Sequence, residues 1–504
     1  MSSFDYVVVG GGSAGCVVAA RLSEHPDVSV LLLEAGGDER RSDVENPDAW
    51  PTLLGTDADW AYETVHQPAT GRVHAAPRGR VLGGSGSINC MAHLRGHRLD
   101  FDEWAGLGAK EWAYDDVLPY FKRSEDVPDG DPAHRGQGGP LHPRPDRAPG
   151  AMGKAYLEGA VRLGHTVVDD FNAGEMLGVG HADALVDNGR RESTASAYLR
   201  PVMDRPNLTV LTHTVVRRLT VEAGRCTGVE YLCQGEPGRA FADAEVVLCG
   251  GAVASPHLLM LSGIGPAEEL AGLGIAPVVD LPHVGRNLQD HILLAGIRYR
   301  ARRPVQASEA GGGPTLFVRT DPGVHGPDLQ LSVMAGDYRM PWQQPVDNAL
   351  TFLIGHMRPR SRGTITLASA DPDVAPLIDP AYLHDTYDLD QLILGVEHID
   401  RLVRTGVFDE WGGVSETSLM LRNDRAGLER AVRTTVSSYF HLSGTCRMGS
   451  DADAVVDPQL RVNGVTGLRV ADASVMPTVV SCNTNAATVM IGEKAADLLR
   501  GRDS

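Results

Sequence analysis

"FDYVVVGGGSAGCVVAARLSEHPDVSVLLLEAGG", Phe4 to Gly37, decides the fold. An apolar run enters a glycine turn, a helix-forming segment follows, and a second apolar run covers Val28 to Leu33. That is a βαβ unit of about 30 residues, the building block of parallel sheets. Gly10, Gly12 and Gly15 supply the GxGxxG pattern between strand and helix, with Ser13 and Ala14 inside it. Where side chains are missing, backbone N–H groups can approach a pyrophosphate at a helix N-terminus. Glu34 closes the second strand 19 residues after Gly15 (34 − 15), with Ala35 beside it. An acid at that distance takes a ribose hydroxyl and disfavours a 2′-phosphate, hence NADP. The fingerprint leaves NAD and FAD both open.

Outward from this unit, 504 residues are too many for one core, so two or three folding units are expected, some built from non-contiguous segments. A hydrophobic fraction of 42% with 22% charged residues excludes disorder and collagen. The net charge of −19, from 46 basic and 65 acidic residues without a long basic run, argues against nucleic acid as a partner. "MSSFDYVVVGGG" lacks a charged leader, and no run of about 18 apolar residues exists, so the expectation is a cytoplasmic chain with no membrane partner. Seven scattered cysteines without a CxxC read as reduced thiols, with no metal expected.

Residues 207–233 read as β-rich, and 241–265 as a strand, turn and helix returning to the parallel sheet. Asp126 to Gly150, rich in Pro, Gly, Asp and His, reads as a long loop or lid. Between Ile297 and Leu421, "DLQLSVMAG", "LTFLIGHM" and "GTITLAS" alternate as antiparallel strands do. Amphipathic helices are expected near Leu389–Val403 and Ala426–Thr435.

Two further stretches choose between the cofactors. "GRVLGGSGSINCMAHLRG" (Gly79–Gly96) and "GAVASPHLLMLSGIG" (Gly251–Gly265) resemble the two signature motifs of the glucose–methanol–choline family of FAD-dependent oxidoreductases. "VGRNLQDH" (Val284–His291) and the C-terminal stretch "GLRVADASVMPTVVSCNTNAATVMIGEKAADLL" resemble that family too. The resemblance covers essentially the whole chain, with its motifs in the family's order. It implies an α/β fold, α+β overall, in which a Rossmann-type FAD-binding domain carries a substrate domain with a mostly antiparallel sheet. Motifs at both ends and in the middle assign 1–125, 196–296 and 436–504 to the first, and 126–195 and 297–435 to the second.

From the resemblance, the cofactor wall would take Arg80, Gly83, Gly84, Ser87, Asn89, Cys90, Met91 and Ala92 from the first motif, and Gly250 beside the second. The small residues of "GGSGSIN" suit a loop lying on a flat ring, with Ser87 and Asn89 able to hydrogen-bond its edge. Some family members join a histidine here covalently to the flavin; the corresponding residue is Ile88, which implies non-covalent FAD. Val216, or Val215 one register away, matches a valine that meets adenine through its backbone. Asp472, with Ala473, matches the aspartate near the pyrophosphate and ribityl chain, and could equally cap the following turn.

"SSYFHLSGTCRMG" (Ser437–Gly449) resembles the segment carrying the family's base, which is then His441. The second catalytic position falls in "SCNTNAATVM", at Asn483 or, two residues on, at Asn485, with Thr484 between them and Asn485 expected on the flavin in either case. An alcohol hydrogen leaves carbon as hydride only as the O–H proton leaves to a positioned base; imidazole suits that role, with an apparent pKa of about 6 to 8 expected. The implied reaction takes a primary alcohol, on an aromatic or heteroaromatic ring, to the aldehyde, with hydride to flavin N5 and electrons to O2 giving H2O2. The alternatives are a dehydrogenase, choline-like or acting on another alcohol, that uses a quinone or other acceptor, and a hydroxynitrile-lyase-type enzyme. Oligomeric state is not legible.

Overall fold

The computed structural model of the chain describes residues 2–145, 150–305, 313–339, 341–412 and 424–501. Strand β1 (Ser2–Val9), helix α1 (Ser13–Leu22) and strand β2 (Val30–Leu33) form the βαβ unit, with β2 starting at Val30 rather than Val28. Val7, Val8 and all of β2 are buried, as strands covered on both faces must be. They belong to a seven-stranded sheet in the order Leu208–Leu211, β2, β1, β3 (Glu236–Leu248), Arg225–Cys233, Thr214–Glu222. Leu468–Val470 adds to β3 in parallel, placing Val470 opposite Leu248. β1 also runs parallel to β3, with Val9 opposite the same Leu248. The turns that follow β1 and Leu468–Val470 therefore start level with each other on the two sides of β3, although 460 residues separate Gly10 from Val470 (470 − 10).

The sheet is mixed rather than purely parallel. Thr214–Glu222, Arg225–Cys233 and β3 form an antiparallel meander at one edge. Its two connections, Ala223–Gly224 and Gln234–Gly235, have φ of 48° and 78°, and of 51° and 89°. Two-residue turns with both φ positive match the strand twist and leave no length for a crossover.

A second, six-stranded sheet is antiparallel throughout. It is ordered β6 (Val436–Ser438), β4 (Ile292–Arg300), Ala349–His356, β5 (Leu329–Ala335), Pro314–Val318 and Gly178–His181. Helices Thr386–Val403 and Arg425–Thr435 follow the expected amphipathic segments. Leu392, Val396 and Ile399 bury against Leu331 and Ile354 in a core separate from that of the first sheet. The sheet starts at Ile292, so β4 crosses the expected boundary at 296/297, and β6 comes from the segment expected in the cofactor part.

Between 126 and 145 regular structure is limited to Arg144–Pro145, as expected for a loop; residues 146–149 of that stretch lie outside the described residues. The segment is nevertheless pinned. Arg135, with a side chain 2% exposed, bridges Glu125 at 2.8 Å and Asp170 and Asp183 at 2.7 Å each. Among the described residues no helix is long and apolar enough to cross a membrane, and no group of three or more His, Cys, Asp or Glu is placed to hold a metal.

Candidate active site

A cavity of about 1190 Å³ is lined at one end by the turn after β1 and at the other by the second sheet. The turn meets the end of β3 through backbone: a Cβ on Gly10 would lie 2.5 Å from the Cys249 carbonyl oxygen, and Gly10 has φ +102°. A Cβ on Gly15 would lie 1.8 Å from the Gly10 carbonyl oxygen, so Gly15 serves helix-to-turn packing and does not line the cavity. Gly12, Ser13 and Ala14 do line it. Glu34 is buried on the wall beside Ala35, its Oε2 accepting from Gly11 N–H at 2.8 Å and its Oε1 from Gly36 N–H at 2.7 Å. Burial pushes this carboxyl up to about 7.

Val215 and Val216 both line the cavity, as do Gly250, Asp472 and Ala473. Asp472 Oδ2 accepts from Gly251 N–H at 2.9 Å and from Ser255 Oγ at 2.6 Å, while its Oδ1 accepts from Ser474 N–H and so caps the next turn. One carboxylate joins the starts of two segments at the cavity floor.

The first signature motif divides. Arg80, Gly84, Asn89, Cys90 and Ala92 line the cavity, together with Ile88. Gly83, Ser87 and Met91 do not. Ser87 Oγ donates to the Leu82 carbonyl at 2.6 Å inside the loop, so the expected contact with a ring edge is corrected to an internal brace. Gly83 is held against that brace, since a Cβ there would meet Ser87 Oγ at 2.2 Å. Met91 packs with Val17, Leu141 and Val489 in a small apolar cluster. Asn89 Oδ1 is held by Met91 N–H at 2.8 Å.

At the far end, β6 delivers His441. Asp290 Oδ1 accepts from His441 N–H at 2.8 Å, while its Oδ2 accepts from Tyr382 and Ser438 hydroxyls at 2.5 Å each. Between Tyr439 and His441, Phe440 takes φ +67°, a conformation bulky residues hold only when neighbours enforce it. Arg78 enforces it here, donating to the Phe440 carbonyl at 2.6 Å. The imidazole stacks on Tyr439 at 4.8 Å and stands edge-on to His291 at 5.1 Å. His441 Nδ1 lies 2.9 Å from His291 Nδ1, and Nε2 lies 3.3 Å from Asn483 Nδ2. An amide nitrogen only donates, so Nε2 is the accepting nitrogen and Nδ1 carries the ring proton toward His291. Burial, with Arg78 adding to it, holds the His441 pKa down at about 3, below the range expected from sequence.

Asn483 thus stands against His441, whereas Asn485 Nδ2 donates to Ser13 Oγ at 2.9 Å, at the cofactor turn. Asn483, Thr484 and Asn485 all line the cavity at the start of helix α2 (Asn485–Leu499), whose first turn has no side-chain cap from Thr484. Its exposed N–H end favours negative charge. Asp290, Arg78 and Gln330 escaped the sequence reading. Asp290 and His291 sit inside the quoted "VGRNLQDH", and Gln330 inside the alternating "DLQLSVMAG".

The cavity fits a flavin dinucleotide: a cradle of Gly10, Gly12 and Gly84, where a Cβ on Gly84 would meet Gly12 Cα at 2.7 Å, opens into a chamber holding a neutral base and an amide donor. Models of the GMC oxidoreductase family match residues 4–293 and 359–492. The chain is 40% identical to the mitochondrial choline dehydrogenase of Homo sapiens, over 99% of this chain and 90% of that one. It is 37% identical to the oxygen-dependent choline dehydrogenase of Sinorhizobium fredii, over 99% and 96%. Its fold is similar to the crystal structure of pyridoxine 4-oxidase from Mesorbium loti, with a TM-score of 0.95, 36% identity, and coverage of 99% and 100%. Matches running through both sheets and across the segment that carries His441 leave one conclusion: the chain belongs to the GMC oxidoreductases and is an FAD-binding enzyme that acts on alcohol-type substrates.

Proposed function

We propose that the enzyme oxidises a primary alcohol on an aromatic or heteroaromatic ring to the aldehyde and passes the electrons to O2, giving H2O2. The observation that carries this reading is the pairing of His441 Nε2 with Asn483 Nδ2 at 3.3 Å, facing a wall to which the second sheet lends no charged side chain. When bound, FAD supplies the two-electron acceptor for the hydride that leaves the carbinol carbon. His441 Nε2 takes the hydroxyl proton, already neutral because burial keeps its pKa low. Asn483 Nδ2 donates to the same oxygen and fixes the carbinol in one orientation. Asp290 and Arg78 hold the two polar groups of the Phe440–His441 peptide, so the ring keeps its place while the substrate hydroxyl replaces Asn483 at the Nε2 lone pair.

FAD is held non-covalently in this reading, Ile88 standing where a linking histidine would be needed. The cofactor part comprises 1–125, 196–296 and 436–504, and the substrate part 126–195 and 297–435, a division that the two cores support in the main, with β6 and the start of β4 belonging to the substrate sheet instead. The proposed compartment is the cytoplasm, which the free state of all seven cysteines favours.

A choline-like dehydrogenase is the second reading, favoured by the 40% identity to a choline dehydrogenase. A quaternary ammonium calls for a carboxylate or an aromatic cage. The sheet offers Leu293, Thr315, Gln330, Ser332, Met334 and Leu353, and the aromatic rings beside it on the cavity wall are Trp50, Tyr338 and Tyr439. Mixing the enzyme under nitrogen with benzylic alcohols, pyridylmethanols and choline, watching the flavin absorption, and then admitting air tests both. Bleaching by the ring alcohols with peroxide on aeration is expected; bleaching by choline alone would replace the first reading with the second. No bleaching by any alcohol would favour the lyase.

A further inference from the structure

Along β5, Leu329 and Leu331 contribute to the second core, Gln330, Ser332 and Met334 line the cavity, and Val333 does both. Gln330 is 5% exposed, and its two amide atoms differ in circumstance. Nε2 donates to Asn483 Oδ1 at 3.5 Å, whereas Oε1, on a side chain that lines the cavity, is buried without a hydrogen-bond partner. A buried carbonyl oxygen without a donor calls for a partner that the chain itself does not supply.

The reacting hydroxyl cannot be that donor. In the reading proposed above, on which this step rests, its proton goes to His441 and its oxygen receives Asn483. Oε1 therefore calls for a second donor on the substrate. Gln330, Asn483 and His441 form one continuous row, so the second donor lies next to the carbinol. We infer that Gln330 selects alcohols carrying a hydrogen-bond donor adjacent to the carbinol, an ortho-hydroxyl on an aromatic ring, and that its Nε2 fixes which end of the Asn483 amide faces His441.

The two roles separate on substitution. Gln330→Glu keeps an acceptor at the cavity but cannot donate to Asn483, whereas Gln330→Met can do neither. The probes are 2-methylphenol, 2-methylanisole and toluene, in which a methyl group replaces the carbinol, so that no oxidation accompanies binding. Their dissociation constants are read on the FAD-loaded enzyme from the perturbed flavin spectrum. The wild type should bind 2-methylphenol about 3- to 12-fold tighter than 2-methylanisole, the range for one hydrogen bond, and toluene should match 2-methylanisole. That preference should persist in Gln330→Glu and vanish in Gln330→Met. Flavin reduction by 2-hydroxybenzyl alcohol should slow in both variants.

Equal affinities in the wild type, a preference that survives Gln330→Met, or no spectral response to any probe overturns the inference. Should Gln330→Met fail to retain FAD, the wild-type ratio and Gln330→Glu decide. Because the binding ratio needs no turnover, an enzyme that keeps the preference but is not bleached by benzylic alcohols would sink the proposed reaction alone.

Discussion

At the dinucleotide end of the cavity the wall is largely backbone: Gly10 touches the Cys249 carbonyl, Gly84 touches Gly12, and Glu34 is occupied with the N–H groups of Gly11 and Gly36. At the end proposed to be catalytic the wall is side chains, with His441 fixed by Asp290, Arg78 and His291, and Asn483 met by Gln330. The first end recognises a group common to many enzymes, so its shape is set by what must be absent. The second meets a particular molecule, so its shape is set by what is present. Substitutions at the two ends should therefore fail differently: loss of cofactor at one, loss of chemistry with cofactor retained at the other.

The largest separation is expected at His441. His441→Ala should slow anaerobic flavin reduction by about 10² to 10⁴ while leaving FAD content unchanged, measured by stopped-flow absorbance and by released flavin. The wild-type rate should have a flat pH dependence. A base whose pKa is held down at about 3 is neutral across the range from about pH 9 to about pH 5 and loses its lone pair only as the pH falls toward that value. An inflection between about pH 6 and 8 that disappears in His441→Ala would show the ring to be solvated in the working enzyme, and the contrast between a rigid and an open end would collapse.

Asn483→Ala removes one directed hydrogen bond and should cost on the order of 10-fold to 10³-fold in the same reduction rate. FAD content and the flat pH profile should stay as in the wild type. Loss of FAD here would mean that the two ends are not separable, since Asn483 lies one residue from Thr484 and the start of α2.

Glu34→Ala reverses the pattern and is the mildest of the three. FAD affinity should weaken by roughly 1.5 to 3 kcal/mol, the range for hydrogen bonds to a charged group, with the reduction rate at saturating FAD little changed. Equilibrium dialysis reads the first quantity and stopped-flow the second. Unaltered affinity would reduce Glu34 to a brace for the glycine turn.

The same contrast explains what could be read without coordinates. Glycines at fixed spacing followed by an acid survive as a pattern because backbone approach tolerates no substitute, so Gly10, Gly12, Gly15 and Glu34 are legible from their spacing. The antiparallel sheet and its two helices are legible from period-two and amphipathic alternation. His441 and Asn483 become legible only through resemblance, since a lone histidine after a short strand carries no signal of its own. Three assignments miss for a common reason. Gly83, Ser87 and Met91 sit within a contact motif yet turn inward, to a brace and an apolar cluster, and a linear motif does not record which way each residue faces. Asp290 and Gln330 are missed because each acts on a residue more than 150 positions away, Asp290 on His441 and Gln330 on Asn483. The antiparallel meander beside the parallel strands has a local signal in Ala223–Gly224 and Gln234–Gly235, two short turns between β-forming runs.

Strand β3 joins β1 on one side and Leu468–Val470 through its last residues, so the floor of the cavity is completed by a segment from the end of the chain. During synthesis at about 5 to 20 residues per second, β1 waits for roughly half a minute to a minute and a half before Asp472 exists. Throughout that interval the glycine turn has no carboxylate opposite it and the apolar faces of β1 and β2 lack their final cover, and for most of it the histidine has not been made. FAD thus meets a finished site only once Asn485 has been made, and until then the open edges of those strands can pair with another copy.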